Sequence, residues 1–403
     1  MMTSSVEPYH GELDVQAVCL REPFEATRSS TSRKIADIEL LRGIAVLFII
    51  FHHAHTDLFI WRNEVLDGLF QYFQFWTGVD LFFAISGFVI ARSLLPVLNA
   101  CRSNTAFFRA TLSFWIRRAW RLLPSAWLWL ALLLLAPLVF HSGAFGSVNA
   151  NFWAMVAGVL DFANFRFAAK FMHGEYGTSF VYWSLSLEEQ FYLLLPIATF
   201  MFRRWLVFPL AFLLLLQLFT PRTTTLLMVV RTDAIILGVL LAMGTRYGIY
   251  RLIEPRGLAD SRLLRIFVVS LLLGGTAALG ASKLPINIGL IAVLSAILVL
   301  IASYDRDYLC RQSLAKKAMI WIGSRSYGLY LIHVPAFCLT REIWYRLSPT
   351  GTVFDRGYTV PFALSAAFLL LLLSELNYRY VEAPFRAYGA NASARLMKRS
   401  ILN

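Results

Sequence analysis

The sequence predicts an all-α, polytopic integral membrane protein of about ten transmembrane helices, with both termini cytoplasmic. Three observations carry this. Hydrophobic residues make up 58% of the 403 and charged residues only 15%, where a soluble domain carries about a quarter charged. The apolar residues fall in blocks long enough to cross a lipid bilayer. Lys and Arg collect between alternate blocks, as they do on the cytoplasmic side of a membrane. The net charge of +13 does not point to nucleic acid, because the basic residues come in short clusters between apolar blocks and not as one patch. Four Cys (Cys19, Cys101, Cys310 and Cys338) are scattered without CxxC spacing, so neither a disulfide framework nor a metal centre is expected.

Taken in order, residues 1–37 are polar and mixed and read as a disordered cytoplasmic tail. The first apolar run lacks a small-residue cleavage site behind it, so it reads as a retained span and not as a signal peptide. Ten strong spans lie at roughly 38–59, 73–91, 122–140, 187–202, 205–220, 225–244, 266–282, 286–303, 318–339 and 358–378. An eleventh candidate, 152–165, is short and contains Asp161 and Asn164. If it does not span, 26 of the 37 Lys and Arg fall on the side of both termini and eight on the other, with Arg42, Arg231 and Arg325 inside spans. If it does span, Arg203 and Arg204 are pushed outside. The charge asymmetry therefore predicts a re-entrant or surface helix for 152–165, within an outside segment 141–186. The membrane domain is expected over 38–386, followed by a cytoplasmic tail over 387–403.

The first span, "LRGIAVLFIIFHHAH" (Leu41–His55), starts with an arginine and ends in three histidines. Ionisable groups at membrane depth are costly and mark function. Arg42 and His53 are eleven residues apart, which on a helix brings them to within about 20° of one face and ~16 Å apart along the axis. His52 is turned about 100° away, so His53 is the partner of Arg42. The bland alternative is an arginine snorkelling to lipid phosphates and a histidine packed in the bundle. Asp80, Glu188, Glu189, Arg231, Asp233 and His333 weigh against it. The charge-based topology puts all of them at the same outer depth as His53, and seven such groups are expected to line one shared polar cavity. Toward the inner side, "FWIRRAWRLLP" supplies Arg117, Arg118 and Arg121, with Arg117 and Arg121 expected on one face and Arg118 beside them. Grouped arginines suit phosphate oxygens, although basic residues also flank cytoplasmic helix ends routinely.

These stretches together resemble the integral membrane acyltransferases of the acyltransferase-3 family, which O-acylate sugars of lipopolysaccharide, exopolysaccharide and nodulation factors, and some macrolides. The matching segments run from Ile38 to about Arg386: "LRGIAVLFIIFHH", "GVDLFFAISGFVI", "RRAWRLLP", "WSLSLEEQFYLLLP", "RTDAIILGVLLA", "GSRSYGLYLIHVP" and "VEAPFR". The resemblance implies a ten-helix membrane core with Arg42 and His53 as a functional pair. It implies that Arg117, Arg118 and Arg121 engage an acyl-CoA donor, most simply acetyl-CoA. It marks Glu188 and Tyr192, then Tyr327, Tyr330 and His333, then Glu382 and Arg386, as further motif residues. His52 and His55 beside the key position, and the lack of an appended hydrolase-like domain, depart from some relatives.

Residues and resemblance converge on transfer of an acyl group from cytosolic acyl-CoA to a hydroxyl of an exported or cell-surface glycan or glycolipid at a bacterial inner membrane. No permanently bound cofactor is expected. His53 would act as general base or carry the acyl group itself. Asp80, Glu188 or Glu189 would orient it, and Arg231 would stabilise an oxyanion. A proton-coupled transporter is the alternative from another class, but it would usually show an internal repeat, and none is found. An acyltransferase acting on a small-molecule glycoside or macrolide is a further alternative.

Overall fold

The structure is a computed structural model and describes residues 34–398. The expected tail at 1–33 lies outside the described residues. Among the described residues there are helices and loops and no strand, as apolar segments with internally satisfied backbones require. The elements are α1 (Ala36–His53), which runs on as a π-helical turn (Ala54–Leu58), α2 (Glu64–Tyr72), α3 (Gly78–Ala100), α4 (Asn104–Val139), α5 (Val148–Val159), α6 (Ala163–Lys170), α7 (Tyr182–Phe202), α8 (Val207–Leu218), α9 (Thr225–Val229), α10 (Asp233–Gly244), α11 (Arg262–Ala281), α12 (Asn287–Ser303), α13 (Leu314–Ser324), α14 (Ser326–Leu347), α15 (Thr359–Asn377) and α16 (Ala383–Lys398).

The polytopic class stands, but the count of ten spans does not transfer to single helices. Among the described residues six continuous helical stretches are long and apolar enough to cross a membrane, or seven if α7 and α8 are one broken span. The reasons are local. The expected spans 187–202 and 205–220 meet at an elbow bent by 113°, with Arg203 at a positive φ of 45°. At 12 residues α8 is only about 18 Å long. The expected span 318–339 is divided between α13 and α14 at Arg325. The stretch 152–165 is divided between α5 and α6, with Asp161 at φ 55° between them. Neither piece approaches the ~30 Å of a hydrocarbon core.

Both domain boundaries shift. The expected tail reached residue 37, yet Asp37 is fully buried in the first turn of α1. The loop before α13 holds this turn. Asp305 Oδ1 accepts from the backbone N–H of Ala36 at 2.8 Å and of Asp37 at 3.4 Å. It thereby satisfies helix-start donors that no local cap reaches. The buried Lys316 ammonium donates to both Asp37 and Asp307 at 2.5 Å. At the other end, 387–398 is not a free tail. It belongs to α16, which lies along α4 with Ser393 buried against Ser113.

Small residues set the closest helix contacts, as is usual where apolar driving forces between helices are weak. A Cβ on Gly87 of α3 would lie 2.0 Å from the carbonyl oxygen of Ile235, and one on Gly238 of α10 would lie 2.1 Å from that of Ala84. Gly43 of α1 and Gly323 of α13 form a second reciprocal pair, at 2.5 Å from the Met319 oxygen and 1.8 Å from the Glu39 oxygen. Backbone meets backbone at both crossings.

Candidate active site

His53 is the last residue of α1, and the π-helical turn that follows carries Asp57. Such turns are common at functional sites. The His53 Nδ1 and Asp57 Oδ2 are 3.0 Å apart, and Asp57 also accepts from the Thr56 hydroxyl at 2.9 Å. With the carboxylate on Nδ1–H, the lone pair of His53 is at Nε2. The ring is half-buried and lies 5.1 Å, centroid to centroid, from both Phe180 and His333. His333 is fully buried on α14. Its Nδ1–H donates to the Tyr330 carbonyl at 2.7 Å, and its Nε2 is buried without a hydrogen-bond partner. The two flanking histidines have other partners, although the His52 ring also lies 5.3 Å from that of His53. His55 pairs with Asp67 at 2.9 Å and stacks on Phe70 at 4.1 Å. His52 also faces Phe70, at 5.9 Å.

Below this pair a slot runs between α1, α3, α4, α7 and α14. Its polar lining includes Arg42, Arg118, Arg121, Glu188, Ser86 and Tyr327. Glu188 is the hub: the hydroxyls of Ser86 and Tyr192 both donate to it in short contacts, and its charge faces Arg118, Arg42 and Arg121. Arg118 lies over the Tyr192 ring at 4.8 Å. The Arg121 Nε is buried without a hydrogen-bond partner. Glu382, buried on the π-helical turn Tyr378–Glu382 after α15, faces Arg121 and Arg42 and sits 3.9 Å from Arg386. Tyr327 donates to the Leu122 carbonyl at 2.7 Å. Tyr330 also lines the slot, its hydroxyl bonded to Ser184 at 2.6 Å and to the Val181 carbonyl at 2.8 Å. Its ring is 5.7 Å from that of His333.

The seven ionisable groups expected in a single cavity are instead spread over several separate places. His53 and His333 meet at one of them. Glu188 sits deeper, beside Arg42, because it bonds to Ser86, about two turns inward from Asp80 on α3. Asp80 does not reach His53. It is locked to Arg231, whose Nε and Nη2 donate to its two oxygens at 2.9 Å each, sandwiched between Trp76 and Trp183 at 5.3 and 5.2 Å. Arg231 spends Nη1 on the Met228 carbonyl, so it is not aimed at an oxyanion. Asp233 pairs with Arg222 at 3.3 Å. Glu189 turns away from the slot, toward Asp161. Of the three arginines, Arg118 and Arg121 line the slot. Arg117 points the other way and donates to Ser113 and Ser393 at 2.5 and 2.6 Å, fastening α16 to α4.

The Asp80–Arg231 pair gives a stability prediction. Asp80→Ala strands a buried guanidinium and should cost about 3–5 kcal/mol, whereas replacing both partners by apolar residues of similar size should cost far less. Thermal unfolding in detergent checks the stability. Substantial acyl transfer by the folded double variant, beside a crippled single variant, would mark the pair as a brace and not part of the chemistry.

Comparison with known proteins now adds to this geometry. A family described as an acyltransferase domain, acyltransferase-3, matches residues 35–375. The peptidoglycan O-acetyltransferase OatA of Listeria monocytogenes is 26% identical over 394 residues, covering 89% of this chain and 57% of that protein. The O-acetyltransferase OatA of Staphylococcus aureus is 25% identical over 391 residues, covering 91% of this chain and 60% of that protein. The chain thus spans about three-fifths of the length of these relatives. No solved structure matches.

Proposed function

Because this chain belongs to the acyltransferase-3 family, and its core is an acyltransferase domain, we propose that it moves an acetyl group from cytosolic acetyl-CoA to a hydroxyl of an extracytoplasmic glycan. The name of the Listeria relative widens the acceptor class to include peptidoglycan beside lipopolysaccharide and exopolysaccharide. One observation carries the reading: the His53–Asp57 pair has His333 beside it, and the His333 ring lies 5.7 Å from that of Tyr330, which lines a slot whose walls carry Arg42, Arg118 and Arg121.

The chemistry follows from those positions. The cations of the slot suit the phosphates of CoA, which guanidinium groups bind through charge-assisted hydrogen bonds. The pantetheine arm then runs outward past Tyr330 and brings the thioester to His53. Asp57 holds the His53 ring with Nε2 free to take the proton of the acceptor hydroxyl. The hydroxyl oxygen attacks the thioester carbonyl, the C–S bond breaks, and the proton leaves with the CoA sulfur. The lone pair at Nε2 of His333 offers the hydroxyl a second acceptor. Mass spectrometry of surface polysaccharide and wall glycan from cells carrying the wild-type or the His53→Ala protein tests this. Acetyl esters that depend on His53 support it, and identical ester content in the two strains refutes it.

This reading sets the protein in a bacterial cytoplasmic membrane with the donor entering from inside and the acceptor from outside. Single cysteines at Met172 and Leu314, both 85% exposed, check this sidedness in a background lacking the four native cysteines. Met172→Cys should react with a membrane-impermeant thiol reagent on intact cells, and Leu314→Cys only after permeabilisation. The same labelling at both positions would overturn the two-sided scheme. Gly177, at φ 103° and against Asn151, does not tolerate such a probe without strain.

A further inference from the structure

A second hollow lies on the outside segment, apart from the slot. It has a volume of about 370 Å³ and is lined by Ser147, Asn149, Trp153, Arg166, Lys170 and Glu175. We propose that it is a saccharide-binding subsite, which holds a sugar unit of the acceptor neighbouring the unit to be acetylated. This rests on the reading of the acceptor as a glycan.

The volume falls in the range of small-ligand sites, and the lining has the mixture that a sugar ring needs. Trp153 on α5 is 53% exposed and offers a flat face for ring C–H groups. A sugar hydroxyl both donates and accepts, and the hollow presents both kinds of partner: the Glu175 carboxylate accepts, and Lys170 and the Asn149 amide donate. Among the described residues neither the Lys170 ammonium nor the Asn149 amide makes a hydrogen bond or ion pair, so both face the hollow without a partner. The remaining walls are already fixed. Glu175 accepts from the Ser147 N–H and hydroxyl, both at 2.7 Å. Arg166 lies over the Tyr176 ring at 4.2 Å and donates to the carbonyls of Tyr176 and Ala150 at 2.7 and 3.3 Å. A phosphate headgroup suits this lining less well, because it would meet the Glu175 carboxylate while Arg166 is turned to backbone carbonyls.

The hollow is also tied to the chemistry. Phe180, whose ring touches His53, is five positions beyond Glu175, so the two points are at most about 18 Å apart along the chain. The loop between them is clipped to α5 by Asn151, which accepts from the Thr178 N–H and hydroxyl at 2.9 and 3.1 Å and donates to the Phe145 carbonyl at 2.7 Å. A saccharide seated in the hollow therefore lies within a few sugar units of His53, with this clipped loop between the two sites.

The competing role for an exposed tryptophan here is that of a membrane-interface anchor. The full-length protein in detergent, fluorescently labelled, is applied to an array of bacterial surface oligosaccharides. Wild type should retain at least one saccharide class. Trp153→Ala should weaken retention about tenfold, Lys170→Ala should weaken it as well, and Trp153→Phe should restore most of it. His53→Ala should retain the saccharide fully while losing transfer, which separates this subsite from the catalytic reading: retention without any His53-dependent acetylation would sink the latter and leave the former. No retention by wild type, or retention unchanged by Trp153→Ala and Lys170→Ala, overturns the subsite. If Trp153→Ala fails to fold, the Lys170→Ala result decides.

Discussion

Asp57→Asn should lower acetyl transfer by about 10²–10⁴-fold, close to the loss expected for His53→Ala. The carboxylate is the only acidic group hydrogen-bonded to His53 among the described residues, and it fixes which nitrogen carries the lone pair. An asparagine keeps the shape but can turn its NH₂ toward Nδ1, which moves the proton to Nε2 and removes the base from the reacting side. Binding of donor and acceptor should change little, so the loss should appear in kcat and not in either KM. Asp57→Glu should recover part of the rate. His52→Ala and His55→Ala should retain most activity, because those rings face Phe70 and Asp67. An Asp57→Asn enzyme with near-normal kcat would dissolve the His53–Asp57 pair as a catalytic unit, whatever the fate of His53→Ala.

The second large effect concerns the donor. Charge-assisted hydrogen bonds to phosphate are worth about 1.5–3 kcal/mol each, so Arg118→Ala together with Arg121→Ala should raise the KM for acetyl-CoA by about 10²–10⁴-fold at a nearly constant KM for the acceptor. Arg117→Ala should leave the donor KM alone and lower thermal stability instead, since its hydrogen bonds reach Ser113 and Ser393. Steady-state kinetics with purified variants in detergent separates the two cases. An equal rise in donor KM for Arg117→Ala and the double variant would mean that the whole arginine cluster acts as one field and that the slot's lining does not discriminate.

The fold class was legible because composition and block length decide it before any packing does. The number of spans was not, because hydropathy measures how apolar a window is and says nothing of whether its helix is continuous. The breaks at Arg203 and Arg325 are invisible to it. Helical periodicity turns His52 away from His53: His52 faces Phe70, and His53 bonds to Asp57. Depth alone misled. Asp80 and Arg231 were grouped with His53 by their level in the membrane, but their azimuth turns them toward each other. Asp57 lies within the expected first span, 38–59, and its spacing of four from His53 is a helical contact, but it falls outside the stretch Leu41–His55 and outside the resemblance motifs. Arg117 and Arg118 sit one residue apart, and only the position of α16 decides which of them faces the slot.

The glycine crossings have a consequence for motion. Gly87 and Gly238 bring α3 and α10 into backbone contact, Gly43 and Gly323 do the same for α1 and α13, and Gly78 stands 2.5 Å from the Ala45 carbonyl as a Cβ would be placed, joining α1 to α3. Interfaces this close cannot slide without backbone collision. These four helices therefore move as one stator. Any widening of the slot for a long thioester arm is therefore expected at the opposite wall, α4 with α7 and the attached α16, and not within this block.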